Sequence, residues 1–236
     1  SLAHMLAAAV LELYPDTKLT LGPAIDTGFY YDFDFSEENT PFNPPSKESG
    51  RKKVSETDLP KIEQKMREIL KTWKTFEGQE VSAAEARKKF VDNPYKLELI
   101  DGIEEKGEKI TLYTSGTFTD LCRGGHTDDA REMRNAGWKL DRIAGAYWRG
   151  DEKNKMLTRI YGLAFEAKEE LEEYEKMRVE AEKRDHRKLG KELQIFTFDD
   201  EVGPGLPLWL PNGTIIIDEI EKLAKQYSLS SFYVIG

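Results

Sequence analysis

The stretch Gly28-Phe29-Tyr30-Tyr31-Asp32-Phe33-Asp34-Phe35, at the end of LTLGPAIDTGFYYDFDF (19–35), decides how the fold is read. Aromatic residues and aspartates alternate from Phe29 to Phe35 behind two glycine breaks, which is the two-residue period of a half-buried strand. One face is apolar, and the other carries Tyr30, Asp32 and Asp34. Upstream, Leu2, Leu6, Ala9, Val10 and Leu13 recur at helical spacing until Tyr14-Pro15-Asp16, so an amphipathic helix opens the chain, with His4 in its first turn. Downstream, residues 36–57 are rich in proline and charge and read as a long exposed loop. Asp58-Leu59-Pro60 then starts a helix with Asp58 as its cap and Ile62, Met66, Ile69, Leu70 and Trp73 as its buried stripe. A second helix spans 82–91. KLELI, KITLYTSGTFTDL and WKLDRIAGAYW have strand character around turns. Helices and strands do not alternate as βαβ units, so the expected class is α+β: a mostly antiparallel sheet with packed helices.

Beyond residue 162 the composition changes. Residues 163–189 are nearly all Glu, Lys and Arg around a thin stripe of Leu171, Tyr174, Met177 and Ala181, which predicts one long, largely solvated linker helix closed by Gly190. His186, near its basic end, reads as a helix-terminus cation. Residues 191–236 then supply a strand, a Gly-Pro-Gly loop, an Asn212-Gly213 turn and the start of another amphipathic helix, too little to hold a core. The expected division is 1–162, 163–190 and 191–236, the last being the opening of a partial second domain.

Composition narrows the function. Of 236 residues, 39% are hydrophobic and 33% charged, mean hydropathy is −0.63, and no apolar run approaches the roughly 18 residues a membrane span needs. No basic-flanked, cleavable leader is visible, and the single cysteine permits no internal disulfide, so a cytoplasmic location is expected. A net charge of −9 argues against a protein built to coat nucleic acid. Arg131, Arg134, Lys139, Arg142 and Arg149 form a candidate local patch, or a solvated face with scattered charge.

DLCRGGHTDD (120–129) holds that single cysteine and one of three histidines. Gly124-Gly125 disfavours helix, so Cys122 and His126 are expected on a tight loop whose backbone N–H groups are open to a carbonyl or phosphate. Three readings stand: a small buried hydrophobe beside a structural imidazole, a Cys–His pair with Asp120 as orienting group, or a metal site. Zinc takes four ligands in structural sites, and His4 is the one further histidine before residue 163, which gives the three-ligand count of an open, catalytic-type site.

SLAHML, LGPAIDTGFYYDFDF, the lysine of NPYKLELI, DLCRGGH and AGAYWRGDEKNKMLTRIYGLAF together resemble the editing domain of bacterial threonyl-tRNA synthetase. RDHRKLGKELQIF and GPGLPLWLPNGTIIIDEIEKLAK are similar to that family's linker helix and the first elements of its class II catalytic domain. The resemblance runs from Leu2 to about Lys225. It implies post-transfer editing, the hydrolysis of serine wrongly esterified to tRNA(Thr), with ATP-dependent ligation of threonine belonging to the full-length enzyme and not to this stretch. It further implies that His4, Lys96, Cys122 and His126 are catalytic and that Asp120, Gly22 and Tyr31 bind substrate. Asp120 would hold the ammonium group, and Gly22 would bring backbone close. Tyr30 and Tyr31 alternate faces, one for the core and the other to stack on the terminal adenosine, and Tyr31 is assigned to substrate. Read without the family, Lys96 is an ordinary exposed strand lysine. In a closed pocket, desolvation would lower its pKa and let it shuttle a proton. No cofactor and no metal are expected for editing, while ATP, Mg and zinc are expected only for the catalytic core. The implied partner is tRNA(Thr) with its 3′ aminoacyl end, and the implied full-length assembly a homodimer. Departures from the family are the histidine that would precede Ser1, the missing amino-terminal domain, and the unmatched tail QYSLSSFYVIG. The general base stays open among His4, Lys96 and the terminal hydroxyl of the tRNA. The alternatives are a zinc-dependent hydrolase of the alanyl type and a non-catalytic tRNA-binding module.

Overall fold

The alternation at 29–35 does make a strand, and the sheet is built on it. A computed structural model describes residues 1–35, 54–199, 201–203 and 205–232. The elements are α1 (Leu2–Leu13), β1 (Lys18–Leu19), β2 (Ala24–Ile25), β3 (Gly28–Asp34), α2 (Leu59–Thr72), β4 (Glu77–Val81), α3 (Ala83–Lys89), α4 (Pro94–Glu105), β5 (Ile110–Ser115), β6 (Phe118–Leu121), β7 (Gly137–Tyr147), β8 (Met156–Phe165), α5 (Lys168–Lys183), α6 (His186–Glu192), β9 (Phe196–Phe198), β10 (Pro207–Trp209) and α7 (Pro211–Phe232). The chain divides into two compact units, Ser1–Glu172 and Glu173–Gly236.

In the first unit β1, β3, β8 and β7 form an antiparallel sheet with β2 added to β3, and β4, β5 and β6 form a second antiparallel sheet. The α+β class therefore holds. Phe29, Tyr31 and Phe33 point from β3 into a core shared with Met5, Leu6 and Val10 of α1 and Ile62, Met66 and Leu70 of α2. The alanines of α1 let that helix sit deep, with Ala3 through Val10 buried as a block. The apolar stripe of α2, Trp73 included, is buried as its spacing predicted.

Local readings needed correction where a side chain overruled the pattern. KLELI is not a strand: Asn93 caps a helix by accepting from Lys96 N at 3.2 Å and Pro94 occupies the first turn, so the apparent alternation belongs to α4. Lys96 is consequently neither in a strand nor exposed, at 1% relative exposure. Asp32 and Asp34 do not face water. Arg159 forks onto Asp32 at 2.6 and 2.8 Å, while Lys155 (3.0 Å) and the Tyr95 hydroxyl (2.7 Å) reach Asp34. Asp58 does not cap α2 with its side chain, which turns back to accept from Ser55 N at 2.9 Å. Of the expected loop at 36–57, residues 36–53 lie outside the described residues. Val54 is buried, and Glu56–Asp58 form a short 3-10 turn.

The expected single helix over 163–189 is also revised. Strand β8 runs to Phe165, and the helical part breaks at Asp185, which caps α6 by accepting from Arg187 N at 2.7 Å and Lys188 N at 3.4 Å. His186 thus begins a helix instead of ending one, and Gly190 is buried inside α6 against the Phe196 ring. In the second unit β9 pairs with β10, and Asn212-Gly213 belongs to the first turn of α7, not to a hairpin. Among the described residues no helix is long and apolar enough to cross a membrane.

Candidate functional site

Four elements deliver the site. The first turn of α1 carries His4, α4 carries Lys96, β3 carries Tyr31, and β6 with its following loop carries Asp120, Cys122 and His126. The ladder continues past β6 through Cys122 N to Thr111 O at 3.1 Å, and the chain then turns through Gly124 (φ 106°) and Gly125 (φ 79°). Both lie in the left-handed region that side-chain-bearing residues avoid, so the glycine pair is what folds His126 back onto Cys122. His126 Nε2 lies 3.3 Å from Cys122 Sγ, and the sulfur also accepts from Gly124 N at 3.4 Å. The His4 ring stacks on His126 at a centroid distance of 4.5 Å. Ligating atoms of His4, Cys122 and His126 all fall within 4.8 Å of one another, and a histidine–histidine–cysteine set of this kind suits zinc.

Beneath the trio lies a buried ionic group. Lys96 Nζ sits 2.5 Å from Asp120 Oδ1 and donates to the Tyr31 hydroxyl at 3.2 Å, and that hydroxyl donates to Asp120 Oδ2 at 2.5 Å. Leu121 N donates to Asp120 Oδ1 at 2.8 Å, and His4 Nε2 faces Asp120 Oδ2 at 3.6 Å. Lys96 and Asp120 are each 1% exposed, so neither charge is tolerable alone, and the pair is one structural and electrostatic unit. Burial, with Asp120 beside it, holds the Tyr31 hydroxyl well above its ordinary pKa, so it stays protonated as a donor.

Burial likewise keeps both imidazoles neutral. His4 is lowered to about 4, chiefly by desolvation and against the pull of Asp120. His126 is lowered to about 3 by desolvation and then by His4. His4 Nδ1 is buried with no hydrogen-bond partner. With Nε2 turned to the carboxylate, Nδ1 is the nitrogen left to accept.

The structure brings His4, Lys96, Asp120, Cys122 and His126 together, although the sequence spreads them from 4 to 126. It alters one assignment. Tyr31 is fully buried, its ring packed against Phe33 and against Gly22, where an added Cβ would stand 2.2 Å from Tyr31 Cδ2. It offers no free face to a base and acts through its hydroxyl. Asp120 already accepts from Lys96, Tyr31 and Leu121 N, its Oδ2 lies 3.6 Å from His4 Nε2, and it lines the smaller of two clefts that open here. Phe76 and Tyr113, which the sequence did not single out, flank His126 at 4.7 and 4.5 Å. No local sequence pattern marks either, and the absence of a side chain at Gly124 leaves room for the Tyr113 hydroxyl, which an added Cβ would meet at 2.9 Å. The basic run resolves into separate contacts: Arg131 pairs with Asp129, Arg142 with Asp141 and Arg149 with Glu98, and Arg134 donates to Leu70 O and Lys71 O.

Two clefts open onto this cluster. One of about 630 Å³ is lined by His4, Gly22, Phe29, Cys122, His126 and Met133 among others. Another of about 360 Å³ is lined by His4, Gly22, Leu99, Asp120, Cys122 and Arg123 among others.

Comparison with known proteins places the chain's similarity. The family described as the Threonyl and Alanyl tRNA synthetase second additional domain matches residues 110–161, which run from β5 through Asp120, Cys122 and His126 into β8. Over 233 residues, 99% of the chain, it is 48% identical to a Threonine--tRNA ligase of Dehalococcoides mccartyi and 46% identical to that of Borrelia hermsii, covering 37% of each. Over 228 residues it is 46% identical to the Threonine--tRNA ligase of Thermotoga maritima, covering 33% of it. The chain thus spans about a third of the length of these curated relatives, and the similarity, over 233 of its 236 residues, reaches into the tail QYSLSSFYVIG that the motifs left unmatched.

Proposed function

We propose that the cluster of His4, Lys96, Cys122 and His126 hydrolyses seryl esters of tRNA(Thr). The observation that carries this reading is the convergence of two neutral imidazoles, a thiol and a buried amine–carboxylate pair on one cleft, within a chain similar to threonine--tRNA ligases. The physical need is plain. Threonine and serine differ by one methyl, which a pocket made for the larger side chain discriminates by only about 1–3 kcal/mol, so a second site that excludes threonine by size is required. Lys96 and Tyr31 fix Asp120, whose carboxylate faces His4 Nε2 at 3.6 Å and favours the tautomer that leaves Nδ1 to orient the attacking water. A pKa of about 4 makes His4 a weak base at neutral pH, so it works chiefly by positioning that water. Full-length threonine ligation with ATP and Mg, a homodimeric assembly and a cytoplasmic location belong to the same proposal.

The test compares hydrolysis of Ser-tRNA(Thr) and Thr-tRNA(Thr) by this chain and by its His126→Ala variant. The seryl ester should decay at least about tenfold faster, and His126→Ala should lower that rate by about 10²-fold. Equal background decay of both esters rejects the reading. A second reading is favoured by one observation, the 4.8 Å grouping of His4, Cys122 and His126. Zinc on these three would supply an activated water. We propose a site that works without metal. Activity unchanged by chelation, with no stoichiometric zinc on elemental analysis, supports that view, and stoichiometric zinc overturns it.

A further inference from the structure

The two clefts share His4, Gly22, Pro23 and Cys122, so the reactive cluster is approached from two sides. Their lining side chains differ. Glu132 and Glu166 line the larger cleft, whereas Lys109 and Arg123 line the smaller. They also differ in size, about 630 against about 360 Å³, and the nucleoside is much the bulkier arm of an aminoacyl ester. With the RNA end in the larger cleft, its mouth is stoppered just when water must reach the acyl carbon.

We propose that the smaller cleft is a separate passage, through which water enters and the freed amino acid leaves while the RNA end still fills the larger one. The inference rests on the aminoacyl-ester reading. In hydrolysis the water oxygen bonds to the acyl carbon and the acyl–oxygen bond breaks. The ribose oxygen takes one proton, and the other is released as the new acid ionises. The product therefore carries a carboxylate that the ester lacked. The ammonium group remains, so the product is a zwitterion, and Lys109 and Arg123 receive its new carboxylate at the smaller mouth. The present partners of the two cations are Glu80 and Glu108, each at 2.7 Å. These are exposed, solvent-screened pairs that exchange readily for another carboxylate. Leu99 and Ile103 give the passage apolar walls.

The experiment titrates free L-serine onto the protein by calorimetry, with and without saturating deacylated tRNA(Thr). Serine should bind the tRNA-loaded protein as well as the free protein, and Lys109→Glu with Arg123→Glu should weaken serine by about tenfold. Leu99→Trp should abolish serine binding, and the exposed charge reversals keep the test decisive if that variant misfolds. Competition between serine and tRNA, charge reversals that weaken tRNA instead of serine, or no serine binding would each overturn the passage. Because binding is the readout, absent ester hydrolysis would reject the editing reading alone, and competition would reject the passage alone.

Discussion

At the scale of single residues, the site is governed by what burial does to charge. Lys96 is the clearest case. Its local sequence reads as an exposed lysine, because the carboxylate that neutralises it, Asp120, stands on another element and no neighbouring residue announces it. Cys122 and His126 were easier, since the Gly124-Gly125 pair between them signals a turn whatever surrounds it. The His4–His126 stack has a measurable consequence. Both folded pKa values, about 4 and about 3, lie below the ordinary 6.5, so between these values and 6.5 the unfolded chain binds more protons than the folded one. The stability conferred by neutral burial is therefore fully present above pH 6.5 and lost progressively as pH falls toward 4. For His4 the shift corresponds to about 3 kcal/mol, and half-buried His126 adds less because water screens it. Urea midpoints measured from pH 7 to pH 4 should fall accordingly, and His4→Gln should flatten much of that slope. An unchanged slope would mean that the imidazoles are not held neutral by burial.

At the scale of elements, periodicity was reliable where one face met a continuous core and unreliable where a cap decided. The stripe of α2 and the alternation of β3 could be read because each faces the same apolar cluster along its length. KLELI was misread because five residues are too few to separate two periods, and the deciding signal was Asn93-Pro94, which starts a helix as readily as it ends one. The charged stretch after β8 was misread for the same reason. Its composition is helical throughout, yet Asp185 offers its carboxylate to two backbone N–H groups and so begins α6 afresh. Asp185→Ala should then remove the cap of a seven-residue helix at a cost of about 1 kcal/mol. Amide hydrogen exchange should accelerate at residues 187 and 188 and stay unchanged in α1. Protection retained at those two amides would mean that the break has another cause.

At the scale of the whole molecule, the composition changes at residue 163, whereas the compact units are two and divide at Glu172/Glu173, ten residues beyond the expected boundary at 162 and inside α5. No reading of residues in isolation could bring position 4 to position 126. That convergence comes from burying α1 against β3 and from an antiparallel β5–β6 pair whose following loop reaches α1. Every residue lining the two clefts lies within the first unit, as do the buried residues of its main core cluster. Leu171 and Ala167 close that unit over Gly137, where an added Cβ would stand 2.3 Å from Ala167 O. A unit with its own core and all of its site residues is expected to fold by itself. A chain of residues 1–172 should therefore unfold in one cooperative transition, with a free energy within about 0.5 kcal/mol of the corresponding transition in the longer chain. Its His4 and His126 ring resonances should keep their shifts in NMR spectra. A broad, non-cooperative melt, or collapse of those shifts toward random-coil values, would show that the site draws support from beyond residue 172.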